Sequence, residues 1–106
     1  MLPVIYLKST RSTQDEALKY GRLLGRKVVV VASTQTAGRG RRGSSWASPI
    51  GGLWMSIYLP GGLEHPCRLQ FVAAMAVIDM LNELASLECE IKWPNDVIYM
   101  DKKLAG

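Results

Sequence analysis

The chain has 106 residues, enough for one domain or part of one, and its 48% apolar and 21% charged residues match an ordinary folded protein. That balance excludes disorder, a collagen-like repeat and a disulfide scaffold, and Cys67 and Cys89 are too far apart for a CxxC metal or redox motif. The net charge of +4 is local: Arg39, Arg41 and Arg42 lie between Thr34 and Ser48, a stretch without an acidic residue, and outside it ten basic residues face nine acidic ones. This pattern suggests a focused anion site more than a broad nucleic-acid face.

In chain order, Pro3 to Lys8 is rich in apolar residues in loose alternation and predicts a short strand. Ser12-Thr13-Gln14-Asp15-Glu16 supplies a hydroxyl cap followed by first-turn acids, so a helix starts there and Gly25 is its expected stop. Lys27 to Ser33 contains four successive valines, a β-branched run suited to a strand covered on both faces. From Thr34 to Gly62 seven of the ten glycines occur, and Leu53 to Leu59 is a strand between glycine turns. Trp54, Ser56 and Tyr58 share one of its faces, and Leu53, Met55, Ile57 and Leu59 the other. Gly43 to Leu63 is uncharged, but its prolines and paired glycines forbid a membrane helix. Cys67 to Ser86 is the longest helical segment, with Phe71 to Ile78 expected to be buried all round. Cys89 to Trp93 predicts a strand ended by Pro94, and Val97 to Met100 a hairpin turning at Asp101-Lys102. The sum is an α+β protein, a mixed β-sheet flanked by helices. Both cysteines are expected to be buried thiols, and without a signal peptide the expected compartment is the cytoplasm.

Two segments carry chemistry. Gln35-Thr36-Ala37-Gly38-Arg39-Gly40-Arg41-Arg42-Gly43 follows the valine strand, and its glycines let backbone amides and guanidinium groups converge on one anion. It matches neither the P-loop nor the dinucleotide fingerprint, and on spacing alone a solvated basic loop or a nucleic-acid tether fits as well as phosphate binding. Lys92-Trp93-Pro94-Asn95-Asp96 puts a lysine at a strand end beside a proline-fixed turn, where a held ammonium would suit a reaction that builds charge on phosphate oxygens. Trp46 and Trp54 could wall an apolar slot, Ser12 is by default a helix cap, and His65 has no partner at catalytic spacing and is read as surface.

Ser12-Thr13, the Gln35 to Arg41 run, Trp46-Ala47-Ser48-Pro49 with Gly51-Gly52-Leu53, and Lys92-Trp93-Pro94-Asn95-Asp96 with Lys103-Leu104-Ala105-Gly106 together resemble the catalytic domain of biotin protein ligases. The resemblance implies that Ser12, Thr13 and Gln35 hydrogen-bond the biotin ureido ring. It assigns Gly38, Arg39, Gly40 and Arg41 to the biotin carboxylate and the phosphates, with Arg39 and Arg41 counted as catalytic. Lys92 is the catalytic cation at the α-phosphate, and Trp46 and Asn95 lie by the adenylate. The implied fold is related to class II aminoacyl-tRNA synthetases and lipoate ligases. The implied substrates are biotin and ATP, with Mg2+ accompanying ATP and no metal held by the protein. The implied acceptor is a lysine of a biotin carboxyl carrier protein, as in acetyl-CoA carboxylase, and a homodimer is allowed.

Relative to that family, Ser44 replaces a frequent arginine, and residues 1–106 match the N-terminal part of a single catalytic domain, truncated on its C-terminal side. With neither a helix-turn-helix nor an SH3-like domain recognised in the chain, operator DNA is not an expected partner, nor is a membrane. Impaired activity is expected of this stretch alone. A lipoate-ligase-like protein, an inactive biotin-binding remnant and a basic nucleic-acid module are the competing readings. The glycines of residues 39–44 and their three like charges predict a segment with little backbone restraint before an anion binds.

Overall fold

The computed structural model describes all 106 residues, which form two compact units, Met1–Gly61 and Gly62–Gly106. In the first unit a strand β1 (Val4–Thr10), a helix α1 (Thr13–Leu24), a strand β2 (Val28–Gln35) and a strand β3 (Trp54–Tyr58) follow one another. β2 is central, parallel to β1 with Val4 opposite Val29, and antiparallel to β3 with Val30 opposite Ser56. The sheet is therefore mixed, and α1 provides the crossover that a parallel pair needs.

The boundaries of α1 follow from local chemistry. Ser12 is extended and its Oγ accepts the Gln14 N–H at 3.2 Å, Asp15 and Glu16 lie in the positive first turn, and Gly25 closes the helix in the left-handed region at φ 63°. The helix packs on the sheet through Ala17 and Gly21, both buried, and Gly21 lies directly against the ring of Tyr58. The helix therefore covers the β3 face that carries Ser56 and Tyr58, while the apolar face with Met55 and Ile57 is exposed, as are Val4 and Tyr6 of β1. Val28, Val29 and Val30 are nonetheless all buried, as a central β-branched strand should be.

The second unit has a helix α2 (Pro66–Ala85) and an antiparallel sheet of β4 (Glu90–Lys92), β5 (Asp96–Tyr99) and β6 (Lys102–Ala105), with β5 in the middle. Val97 on β5 is 1% exposed and is the core of this unit together with Ala74 of α2. Three sequence expectations need correction here. Phe71 to Ile78 is not buried all round: Ala74 alone is buried, and Phe71, Val72 and Met75 are exposed. A twenty-residue apolar helix has more surface than the short strands β4 and β5 can cover. The thiols are free as expected, but Cys67 is exposed in the first turn of α2 and Cys89 is only half-buried. The hairpin turns one residue earlier than expected, on Met100 and Asp101, which carry φ values of 50° and 63° and leave Tyr99 opposite Lys102.

Because a methyl group at Gly21 would meet the Tyr58 ring, Gly21→Ala is expected to destabilise the first unit by about 1 to 3 kcal/mol through overpacking. The urea midpoint should fall accordingly, whereas Leu23→Ala, at a position 74% exposed on the same helix, should leave it nearly unchanged.

Candidate functional site

The first unit gathers the polar residues of its two signature segments around the N-terminus of α1. Ser12 and Thr13 are 1% and 3% exposed, very low for hydroxyl residues, so their hydrogen bonds decide whether the fold tolerates them. The Thr13 N–H donates to Gln35 Oε1 at 2.7 Å, and Gln35 Nε2 donates to Ser48 Oγ at 2.9 Å. The Ser48 hydroxyl in turn donates to the Trp46 carbonyl at 3.0 Å. Thr13 Oγ1 and Ser56 Oγ lie 2.7 Å apart, joined by one hydrogen bond that either hydroxyl can donate. One side-chain amide at the end of β2 thus ties the start of α1 to the strand-like segment around Ser48.

Gly38 is indispensable to this packing. A Cβ there would lie 2.6 Å from the Trp46 carbonyl oxygen and 2.8 Å from both Gln35 Nε2 and Ser48 Oγ, so any side chain would break the chain of bonds. Beyond Gly38 the glycine-arginine segment is a small hairpin. The Trp46 N–H donates to the Gly38 carbonyl and the Gly40 N–H to the Ser44 carbonyl, each at 2.8 Å. A 3-10 turn over Arg41–Gly43 closes it, with Arg42 and Gly43 at φ 56° and 76°. The bonds across Gly38, Gly40, Ser44 and Trp46 give the segment hairpin geometry.

Arg39 is the hairpin's anchor. Its two terminal nitrogens donate to the two carboxylate oxygens of Asp15 at 2.9 and 2.8 Å, and its carbonyl accepts from Gln14 Nε2 at 3.2 Å. The hydrogen bond from Arg39, reinforced by its charge and that of Arg11, holds the Asp15 carboxyl below the ordinary aspartate range, while Asp15 pushes the Arg39 guanidinium further up. Arg41 and Arg42 are exposed, and Trp46 is half-buried, with its six-membered ring 3.5 Å from the place a Cβ would take on Gly40.

Lys92 and Asn95 belong to the second unit. Lys92 ends β4, exposed and without an ion pair, opposite Asp96, whose carboxylate is bound to Lys103 at 3.1 Å. The ring of Trp93 is 5.2 Å from that of Phe71. Asn95 Oδ1 is buried and accepts no hydrogen bond. A carbonyl oxygen repels phosphate oxygens, so this atom suits a donor such as a hydroxyl, while Nδ2 remains able to face an anion.

Sequence reasoning missed Ser48, Ser56, Gln14 and Asp15 as parts of this arrangement. Ser56 was detectable as the one polar residue on a helix-facing strand side otherwise occupied by Trp54 and Tyr58. Asp15 counted only as a first-turn acid, and nothing local distinguishes a helix-dipole acid from one that also holds a distant arginine.

A mixed sheet whose central strand leads into a glycine-arginine hairpin beside a capped helix start is the frame of this site. The chain belongs to the biotin/lipoate A/B protein ligase family, which it matches over residues 4–106. It is 40% identical over 103 residues to the bifunctional ligase/repressor BirA of Bacillus subtilis, covering 94% of this chain and 31% of that protein. It is 41% identical over 104 residues to the biotin–[acetyl-CoA-carboxylase] ligase of Paracoccus denitrificans, covering 94% and 43%. Among solved structures, biotin protein ligase from Aquifex aeolicus in complex with biotin and ATP superposes with a TM-score of 0.86 at 36% identity, over 97% of this chain and 44% of that one. The enzyme from Leishmania major in complex with biotinyl-5-AMP gives 0.85 at 32%, over 95% and 49%. The chain therefore spans less than half the length of these relatives. No helix is long and apolar enough to cross a membrane.

Replacing Ser48 by alanine leaves Gln35 Nε2 without its acceptor, at an expected cost of about 1 to 3 kcal/mol in unfolding free energy, against little for the exposed Ser45→Ala. The Asp15–Arg39 pair has a definite pH sign. Because the folded carboxyl pKa is depressed, the pair's contribution is complete above the unfolded aspartate pKa and disappears as pH falls through the folded one. Amide signals of residues 39–45 followed from neutral to strongly acidic pH should shift in that acidic window and stay constant above it.

Proposed function

We propose that this chain is the biotin-binding and activating part of a biotin protein ligase. The observation that carries the reading is the arrangement of buried Ser12, Thr13 and Ser48 around the half-buried Gln35, next to the glycine-arginine hairpin, in a chain of this family. A ureido ring needs donors and acceptors in a fixed pattern, and Ser12, Thr13 and Gln35 offer both within one polar cluster. Gln35 keeps a second amide proton and Ser12 a hydroxyl proton beyond the bonds described above.

The reaction begins with the carboxylate of biotin attacking the α-phosphorus of ATP. A carboxyl-phosphate bond forms, the bond to the β-phosphate oxygen breaks, and pyrophosphate leaves. A lysine amine of the carrier protein then attacks the acyl carbon of biotinyl-5'-AMP and releases AMP. Two anions must meet in the first step, so cations fixed near them lower the barrier, each 1.36 kcal/mol being worth about tenfold in rate. Arg39, Arg41 and Lys92 are the cations assigned to this task, with Gly38 and Gly40 letting the hairpin backbone approach the phosphates and Trp46 and Asn95 contacting the adenylate. Mg2+ is expected to accompany the phosphates of ATP. A biotin carboxyl carrier protein is the acceptor, and the cytoplasm the place of action.

Calorimetric titration of the chain with biotin, biotinyl-5'-AMP and lipoate tests this reading. Biotin and its adenylate should bind and lipoate should not; lipoate binding as tight as biotin overturns it in favour of the sister ligases. In the protein that carries this chain, Lys92→Ala should lower adenylate formation about a hundredfold or more, measured by ATP–pyrophosphate exchange, and leave biotin affinity nearly unchanged. Equal losses in both would assign Lys92 a structural role.

A further inference from the structure

We propose that Asp15 is a positioning residue that seats the glycine-arginine hairpin over the N-terminus of α1 by holding Arg39. The inference rests on the proposed function, in which Arg39 meets the carboxylate and phosphate of the ligand. Three observations carry it. Asp15 takes both terminal nitrogens of Arg39 in a two-bond fork, the arrangement that fixes a guanidinium in orientation as well as position. The neighbouring Gln14 donates to the Arg39 carbonyl, so backbone and side chain of one residue are docked on two successive residues of the helix. The same helical turn carries Ser12, whose Oγ caps the Gln14 N–H, and Thr13, whose bonds reach Gln35 and Ser56.

The first turn of α1 therefore works in two directions. Its buried side, Ser12 and Thr13, builds the floor of the site, and its exposed side, Gln14 and Asp15, fixes where the hairpin sits on that floor. With two of its five N–H groups committed to Asp15, Arg39 keeps three donors for an incoming oxyanion. An exposed arginine loses substantial rotamer freedom when it binds an anion, and a guanidinium already held by Asp15 has lost much of it beforehand. The pair is half exposed on both sides, with side-chain exposures of 46% and 55%, so it contributes little to global stability and its effect is one of orientation.

The test is a double-mutant cycle with biotinyl-5'-AMP as the probe, comparing the unaltered chain, Asp15→Asn, Arg39→Gln and the two combined. Asp15→Asn keeps shape and solvent exposure, and circular dichroism should show α1 retained. Its affinity for the adenylate should fall about fivefold to tenfold, Arg39→Gln should fall further, and the double variant should match Arg39→Gln alone, since Asp15 acts through Arg39. Asp15→Glu should recover part of the loss. In the free protein, Asp15→Asn should also speed amide exchange at Gly40 and Ser44, leaving α1 unaffected. A rise in affinity for Asp15→Asn would show that Asp15 competes with the ligand for Arg39, and a loss that persists in the Arg39→Gln background would show a helix effect; either overturns the inference. Binding by the unaltered chain with no change in Asp15→Asn overturns this inference alone, whereas no binding by the unaltered chain overturns the proposed function and this inference with it.

Discussion

The Gln35 side-chain amide is the constraint on which the first unit's site depends. It lies at the end of the central strand, receives the Thr13 N–H at 2.7 Å and donates to Ser48 at 2.9 Å. A helix start has free N–H groups that need acceptors, and a strand end has side chains that can supply them. Joining the two satisfies both and places Ser12, Thr13, Ser48 and Gly38 within one small volume. Gly38 has no room for a side chain because three polar atoms converge on it. The root of the hairpin that begins there follows from the amide, and its far end is held separately through Arg39.

Secondary structure was legible where local chemistry decides it. Ser12 as cap, Gly25 as left-handed stop and the four-valine strand require only backbone preferences and appear as expected. Burial was less legible, because it depends on what covers a surface. The run from Phe71 to Ile78 lacks polar residues and was read as enclosed, yet only Ala74 is buried. On β3 the alternation was correct, but composition misleads about its direction, since the face with Ser56 is the covered one and the face with Met55 and Ile57 is exposed. Thr13 explains this inversion: its hydroxyl needs a polar partner across the helix–sheet contact, and Ser56 is that partner.

The site was legible in its motifs and not in its supports. Gln35, Gly38 and Arg39 are part of a recognisable run, whereas Ser48 stands in a motif without a role assigned to it and Asp15 is an ordinary residue, 13 and 24 positions from the groups they hold. Hydrogen bonds between residues so far apart are set by the parallel pairing of β1 with β2 and the return of the chain after the hairpin, which no local pattern encodes. The charge pattern had the same limit. Arg39 is one of three cations in the run, and its pairing with Asp15 leaves Arg41 and Arg42 as the positive charges of the hairpin without an ion pair.

The two kinds of bonding around α1 imply different mechanical properties for the two sides of the site. Ser12, Thr13 and Ser48 are buried, so separating them from their partners would leave polar groups without water, and that penalty makes the floor rigid. Arg39 and Asp15 are open to solvent, where either partner can exchange the other for water or for a different ion at small cost. A ring-shaped uncharged ligand group is best recognised by the first kind of surface, because its hydrogen-bond pattern is fixed. An anion that changes charge and bonding during a reaction is better met by the second, because a guanidinium held at one edge can keep its seat while its remaining donors follow the reacting oxygens. Arg39 is connected to both surfaces through a single helical turn, so the same residues that fix the floor also fix the direction from which the positive charge arrives.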